Sequence, residues 1–149
     1  MSFAMQNAAK RILVVEDNPG HRELLHEALN QHGFGSVTQL ECDVDSASAW
    51  LHRQTTSPQQ MLPSLILLDL KLKGESGLEL LLRLRANHRL THLPVVIITT
   101  SDDPHDIDTC YGAGANGYVV KPGTFDDLTA LVGDLCRYWL KWNRCIVRP

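Results

Sequence analysis

The chain alternates short apolar runs with longer amphipathic stretches. Ile12-Leu13-Val14-Val15 is apolar at every position, as a strand covered on both faces should be. Leu65-Ile66-Leu67-Leu68 and Val95-Val96-Ile97-Ile98 repeat that pattern. Residues 35–42 predict a weaker strand, and Tyr118-Val119-Val120 a fifth. Between the strands the period lengthens. Asn18-Pro19 reads as N-cap and first helical residue, and His21, Leu24, Leu25, Ala28, Leu29 and His32 follow at helical spacing up to Gly33. A short helix is expected over 45–54, then a loop over 55–63 with Pro58 and Pro63. Ser76 and Glu79 predict a capping box opening a leucine-rich helix that runs to about Arg89. Asp103-Pro104 opens a fourth helix, and Thr124 caps a fifth from Phe125 to about Trp142.

Strict β/α alternation implies βαβ units and a parallel sheet with helices on both faces. Right-handed crossovers leave few topologies. The expected fold is α/β, a (βα)5 doubly wound five-stranded sheet in the flavodoxin-like order 2-1-3-4-5. With 149 residues the chain holds one such domain, placed at 11–142, and no room for a second, DNA-binding one. Residues 1–10 lack the apolar core of a signal peptide and are expected to be a disordered leader; 143–149 form a tail. No apolar run approaches the roughly 18 residues of a membrane span. A net charge of −3 argues against bulk binding to nucleic acid or anionic membrane. Cys42, Cys110, Cys136 and Cys145 show no CxxC spacing and read as reduced thiols of a cytoplasmic protein.

In such sheets the site lies beyond the carboxyl ends of the strands. The first strand ends in Glu16-Asp17, the third in Asp69, the fourth in Thr99-Thr100-Ser101 and the fifth in Lys121-Pro122. A lone Asp after a strand is usually a cap or loop residue. Three acids ending two central strands are harder to dismiss, because crowded like charges are costly. A cation would relieve them, and an all-oxygen site suits Mg2+, which favours phosphate oxygens. Lys121 and a Thr hydroxyl could hold an oxyanion. The chemistry implied is phosphoryl transfer to a carboxylate, with Asp69 as nucleophile.

Val15-Glu16-Asp17-Asn18-Pro19, Leu67-Leu68-Asp69, Ile98-Thr99 and Val120-Lys121-Pro122 resemble the receiver domain of response regulators, with Gly77 eight residues after Asp69. The resemblance spans about Arg11 to Trp142. The leucine-rich third strand, the Thr-Thr-Ser turn and the Tyr-Trp-Leu tail are similar to those of cyanobacterial phytochrome response regulators, single-domain and chemotaxis-regulator-like. The resemblance implies that Asp69 accepts phosphate from a sensor histidine kinase of the phytochrome type. It implies Mg2+ on Asp17, Asp69 and the Lys71 carbonyl, with Glu16 reaching the metal through water. It implies that Thr99 donates to the phosphoryl group, that Lys121 pairs with one of its oxygens, that Tyr118 is the rotating switch aromatic, and that the Lys121–Pro122 peptide is cis. Lys73, where many members have proline, and Thr100, where many have Ala or Gly, depart from the pattern without removing a chemical role.

Gly112-Ala113-Gly114-Ala115-Asn116-Gly117 matches GxGxxG but ends a helix instead of opening one, so helix termination is the better account. His88 and His92 lack the Glu of HExxH, and Ser76 in Gly74-Glu75-Ser76-Gly77 is a cap before it is a nucleophile. An aspartyl-phosphate phosphatase would want a second Asp two residues after the first; Lys71 stands there. A flavodoxin-like electron carrier would not place Glu16-Asp17 where phosphate binds. A degenerate adaptor would not keep every acceptor residue. A phosphorelay intermediate, passing phosphate on to a histidine protein, stays open beside a terminal switch. No enzymatic activity is expected beyond Mg2+-dependent phosphoryl acceptance and autodephosphorylation. On a continued last helix Leu128, Leu131, Leu135, Trp139, Trp142 and Ile146 form one stripe that overruns the sheet. Tyr138, Trp139 and Trp142 are therefore expected to anchor a homodimer.

Overall fold

The computed structural model describes residues 10–57 and 61–146. The leader expected over 1–10 lies outside these residues except for Lys10, as does the end of the tail, 147–149. Five parallel strands, β1 (Ile12–Val15), β2 (Thr38–Glu41), β3 (Leu65–Leu68), β4 (Val95–Thr99) and β5 (Gly117–Val120), stand in the order β2-β1-β3-β4-β5. Five helices alternate with them: α1 (Pro19–Gln31), α2 (Val44–Thr56), α3 (Gly77–Ala86), α4 (Pro104–Gly112) and α5 (Phe125–Cys136).

The pleat divides the core. Ile12, Val14, Leu65, Leu67, Val96 and Ile98 pack under α1 and α5, whereas Leu13, Val15, Ile66, Leu68, Val95 and Ile97 pack under α2, α3 and α4. Successive strand residues point to opposite faces, so a strand covered on both must be apolar throughout. The edge strands β2 and β5 are covered less and carry polar or small residues. In register, Val15 stands beside Leu68 and Glu41, and Thr99 beside Val120, so the strands end together on one side of the sheet. The order reverses between β1 and β3, which opens a crevice at their carboxyl ends.

Several boundaries differ from the sequence-based expectation. Gly35–Val37 is a 3-10 turn, and β2 begins only at Thr38. The second helix starts at Val44, capped by Asp43, and continues through Thr56. The third stops at Ala86, short of Arg89. Beyond it Leu90 and Leu93 turn into the core, while the Arg85 guanidinium holds the carbonyls of Thr91, Leu93 and Gly114 at 2.9 Å. The capping box is half formed. Ser76 Oγ accepts from Leu78 N, but Glu79 lies at 3.6 Å from Arg83 instead of reaching back.

The last α-helix ends at Cys136, and a π-helical segment follows, Arg137–Trp142. The buried stripe is consequently Leu128, Val132, Cys136 and Leu140. Trp139 is half-buried and packs against the α1/α5 side of the core. Wider π turns shift the stripe, so Leu140 takes the inward position. Tyr138, Trp142 and Ile146 stay exposed, at 53%, 64% and 56%.

Candidate functional site

The crevice is built by three loops. Glu16 extends the β1 pairing, its N–H donating to the Glu41 carbonyl at 3.0 Å. Asn18 caps α1, accepting from His21 N at 3.0 Å, while Pro19 supplies the pre-set first turn. Arg22 reaches back from α1, and its Nη1 donates to the Glu16 carbonyl at 2.9 Å. The acids therefore sit on a loop fixed at both ends. After β3, Asp69 N donates to the Val15 carbonyl at 3.0 Å, and a Lys71–Ser76 bridge folds the loop back tightly. Gly77 then passes so close that a Cβ there would overlap the Asp69 carbonyl oxygen. Lys121, following β5, is tied to β4 by its N–H on the Thr99 carbonyl at 2.7 Å.

These loops bring together the residues expected to meet. Glu16, Asp17 and Asp69 each offer a carboxylate oxygen, all within 4.8 Å of one another. Lys121 Nζ lies 3.0 Å from Asp69 Oδ2 and 2.9 Å from Glu16 Oε2. Lys71 N donates to Asp69 Oδ1 at 3.2 Å. Glu16 and Asp69 are buried, at 1% and 6% exposure. Burial and the neighbouring Asp69 push the Glu16 carboxyl up to about 7, although Lys121 opposes the rise. Burial also acts to raise Asp69, but the hydrogen bond from Glu16 and the charge of Lys121 outweigh it and hold Asp69 below the usual carboxylate range. The crowding of the two carboxyls and the placement of Lys121 thus push them apart, Glu16 upward and Asp69 downward.

Two features point to a ligand with charge to place here. The donor set is carboxylate oxygen, which suits a hard divalent cation. Thr99 Oγ1, at the end of β4, is buried with no hydrogen-bond partner. A buried hydroxyl normally has one, and an oxyanion on Asp69 would supply it. Tyr118 is half-buried on β5, and its hydroxyl donates to the Ser101 carbonyl at 2.8 Å. Ser101 Oγ in turn donates to Asp106 at 2.6 Å, linking Tyr118 to the first turn of α4.

Other expectations fall outside the cluster. No peptide bond among the described residues is cis, so Lys121–Pro122 is trans, the form an X–Pro bond favours by about 0.5–1 kcal/mol. Gly112 closes α4 and Gly117 opens β5, so that glycine run is a helix end. Among the described residues no group of three metal-capable side chains includes His88 or His92. The tail lies at the far end of the sheet, where Cys145 Sγ approaches the Ser64 carbonyl at 3.8 Å. One site residue escaped the sequence reading. His21 Nδ1 stands 3.2 Å from Lys121 Nζ. Its signal was its place four residues after Asp17, where a capped first turn folds back over the loop.

Residues 12–133 match the response regulator receiver domain family. The probable methanogenesis regulatory protein FilR2 of Methanothrix harundinacea is 37% identical over 89% of this chain and 85% of its own. Response regulator Rcp1 of Synechocystis is 33% identical over 91% and 92%. The structure of the Mn2+-bound form of Rcp1 superposes with a TM-score of 0.79 over 93% of this chain and 99% of that one, at 30% identity. The phosphorylated cyanobacterial phytochrome response regulator RcpA superposes with a TM-score of 0.83 at 30% identity, over the same shares. By that family match over most of its length and the sheet order it shares with that fold, the chain belongs to the response regulator receiver domain family and is a component of two-component signalling.

Proposed function

We propose that the protein is a phosphorylation-controlled switch that accepts a phosphoryl group on Asp69 from a phytochrome-type sensor histidine kinase in the cytoplasm. The observation that carries this is Asp69 itself: a buried carboxylate kept ionised beside Lys121, with an unpartnered Thr99 hydroxyl nearby on the adjacent strand. An Asp69 oxygen forms the bond to phosphorus as the donor P–N bond breaks, and the electron pair leaves on the donor imidazole nitrogen. Lys121 neutralises a phosphoryl oxygen, and Thr99 donates its hydroxyl to another. Glu16, Asp17, Asp69 and the Lys71 carbonyl would hold Mg2+, which supplies charge neutralisation for the acids and the phosphoryl oxygens when bound. As Thr99 moves toward that group, Tyr118 exchanges its Ser101 contact for an inward position, and α4 reads the change through Asp106.

The output is protein–protein contact, by a homodimer joined through Tyr138, Trp139 and Trp142. A phosphatase is not favoured, since Lys71 occupies the place of its general acid. The test uses a radiolabelled, autophosphorylated bacteriophytochrome kinase. Label should move to the wild type within minutes in Mg2+ and not to Asp69→Asn; transfer to both would remove Asp69 from the acceptor role.

A further inference from the structure

The Lys121 ammonium carries three protons, and the structure gives it three acceptors. Two are the carboxylates, Asp69 Oδ2 at 3.0 Å and Glu16 Oε2 at 2.9 Å. The third is His21 Nδ1 at 3.2 Å, from the first turn of α1. An ammonium can only donate, so Nδ1 accepts and the ring proton sits on Nε2. Nδ1 is also 3.6 Å from Glu16 Oε1, but a proton there would face the ammonium at the shorter distance. His21 is itself held, because its N–H donates to the Asn18 cap and Arg22 beside it ties α1 to the loop carbonyls.

We propose that His21 is a positioning residue for phosphoryl transfer, holding Lys121 over Asp69. The inference rests on Asp69 being the acceptor. When Asp69 becomes an acyl phosphate, Lys121 loses a carboxylate partner and must take a phosphoryl oxygen instead. Through that exchange the imidazole keeps one ammonium proton fixed. As a neutral acceptor it adds no negative charge to repel the incoming phosphate, which a carboxylate in its place would do. With His21 gone, the third proton turns to water and Lys121 gains rotamer freedom that must be lost again at each transfer.

The experiment has two arms. In the first, the full chain with Mg2+ and acetyl phosphate is followed by intact mass for wild type, His21→Ala and His21→Asn. Asn Oδ1 can stand where Nδ1 stands. His21→Ala should label about 5- to 10-fold more slowly, the net value of one ordinary hydrogen bond, with its thermal midpoint retained, and His21→Asn should recover most of the rate. In the second arm, 15N-histidine spectra of the unphosphorylated protein at mildly alkaline pH should show His21 Nδ1 without a proton and Nε2 with one. That Nδ1 signal should move in Lys121→Ala. Wild-type labelling by His21→Ala, no recovery in His21→Asn, or a proton on Nδ1 overturns the role of His21 while leaving Asp69 as acceptor. Absence of labelling in the wild type removes both.

Discussion

Glu16 is 1% exposed, and burial and Asp69 push its carboxyl up to about 7, so stability depends on pH through this group. Its folded value lies above the ordinary 4.5. Below 4.5 both states hold the proton; between 4.5 and about 7 only the folded state does. Stability therefore falls as pH rises through that window, by at most about 3 kcal/mol for this one group. Asp69 acts in the opposite sense but at lower pH, since its folded value is depressed. In EDTA, urea titrations of the wild type should lose stability between pH 5 and about 7.5 relative to Glu16→Gln, which carries no such proton; parallel profiles would remove the buried acid from the account. Thr99 gives a second test at this scale. Its hydroxyl is buried and unpaired, so Thr99→Val should melt no lower than the wild type, since an unpaired hydroxyl costs about 1–3 kcal/mol. A drop of several degrees would mean the hydroxyl has a partner. The acids and Lys121 were legible in the sequence because each follows a strand. His21 was missed, because its partner is 100 positions away and its place in the capped first turn shows only that it folds back over the loop.

Elements were legible where burial is symmetric. A strand covered on both faces leaves no choice but apolar residues, so β1, β3 and β4 could be read directly. Ends were harder, because tertiary contacts decide them. α3 stops at Ala86 because Asn87 leaves the helix and accepts from Arg89 N, while Arg85 holds the carbonyls of Thr91 and Leu93 in the turn beyond. The π segment carries no composition signal; it shows itself in Leu140 being buried where helical spacing favoured Trp139. At the start of α3 the decisive residue is Gly77. A methyl there meets the Asp69 carbonyl oxygen and the Leu70 backbone, neither of which is a flexible side-chain end. Gly77→Ala should cost about 1–3 kcal/mol by chemical denaturation and slow phosphorylation as Asp69 is displaced. Unchanged stability would show that the loop can yield.

At the scale of the whole molecule, the site and the tail occupy opposite ends of the sheet. The acids follow the carboxyl ends of β1 and β3, whereas Cys145 lies by Ser64, just before β3 begins. Exposed Tyr138, Trp142 and Ile146 give the tail the residues of an interface anchor. Light scattering at tens of micromolar should report a dimer for the wild type and a monomer for Tyr138→Ala/Trp142→Ala, which leaves buried Leu140 in place; equal masses would place any contact elsewhere. The fold order could be reasoned from alternation and handedness; the dimer could be reasoned only from the aromatic tail, since its partner surface is no part of one chain's own packing. The crevice at the β1/β3 ends is proposed to carry a phosphoryl group on Asp69. The most direct measurement is intact mass after incubation with Mg2+ and acetyl phosphate. The wild type should gain one phosphoryl mass that peptide mapping places on Asp69, and Asp69→Asn and Asp17→Ala should gain none; a wild type that stays unmodified, or an Asp69→Asn that labels equally, contradicts it.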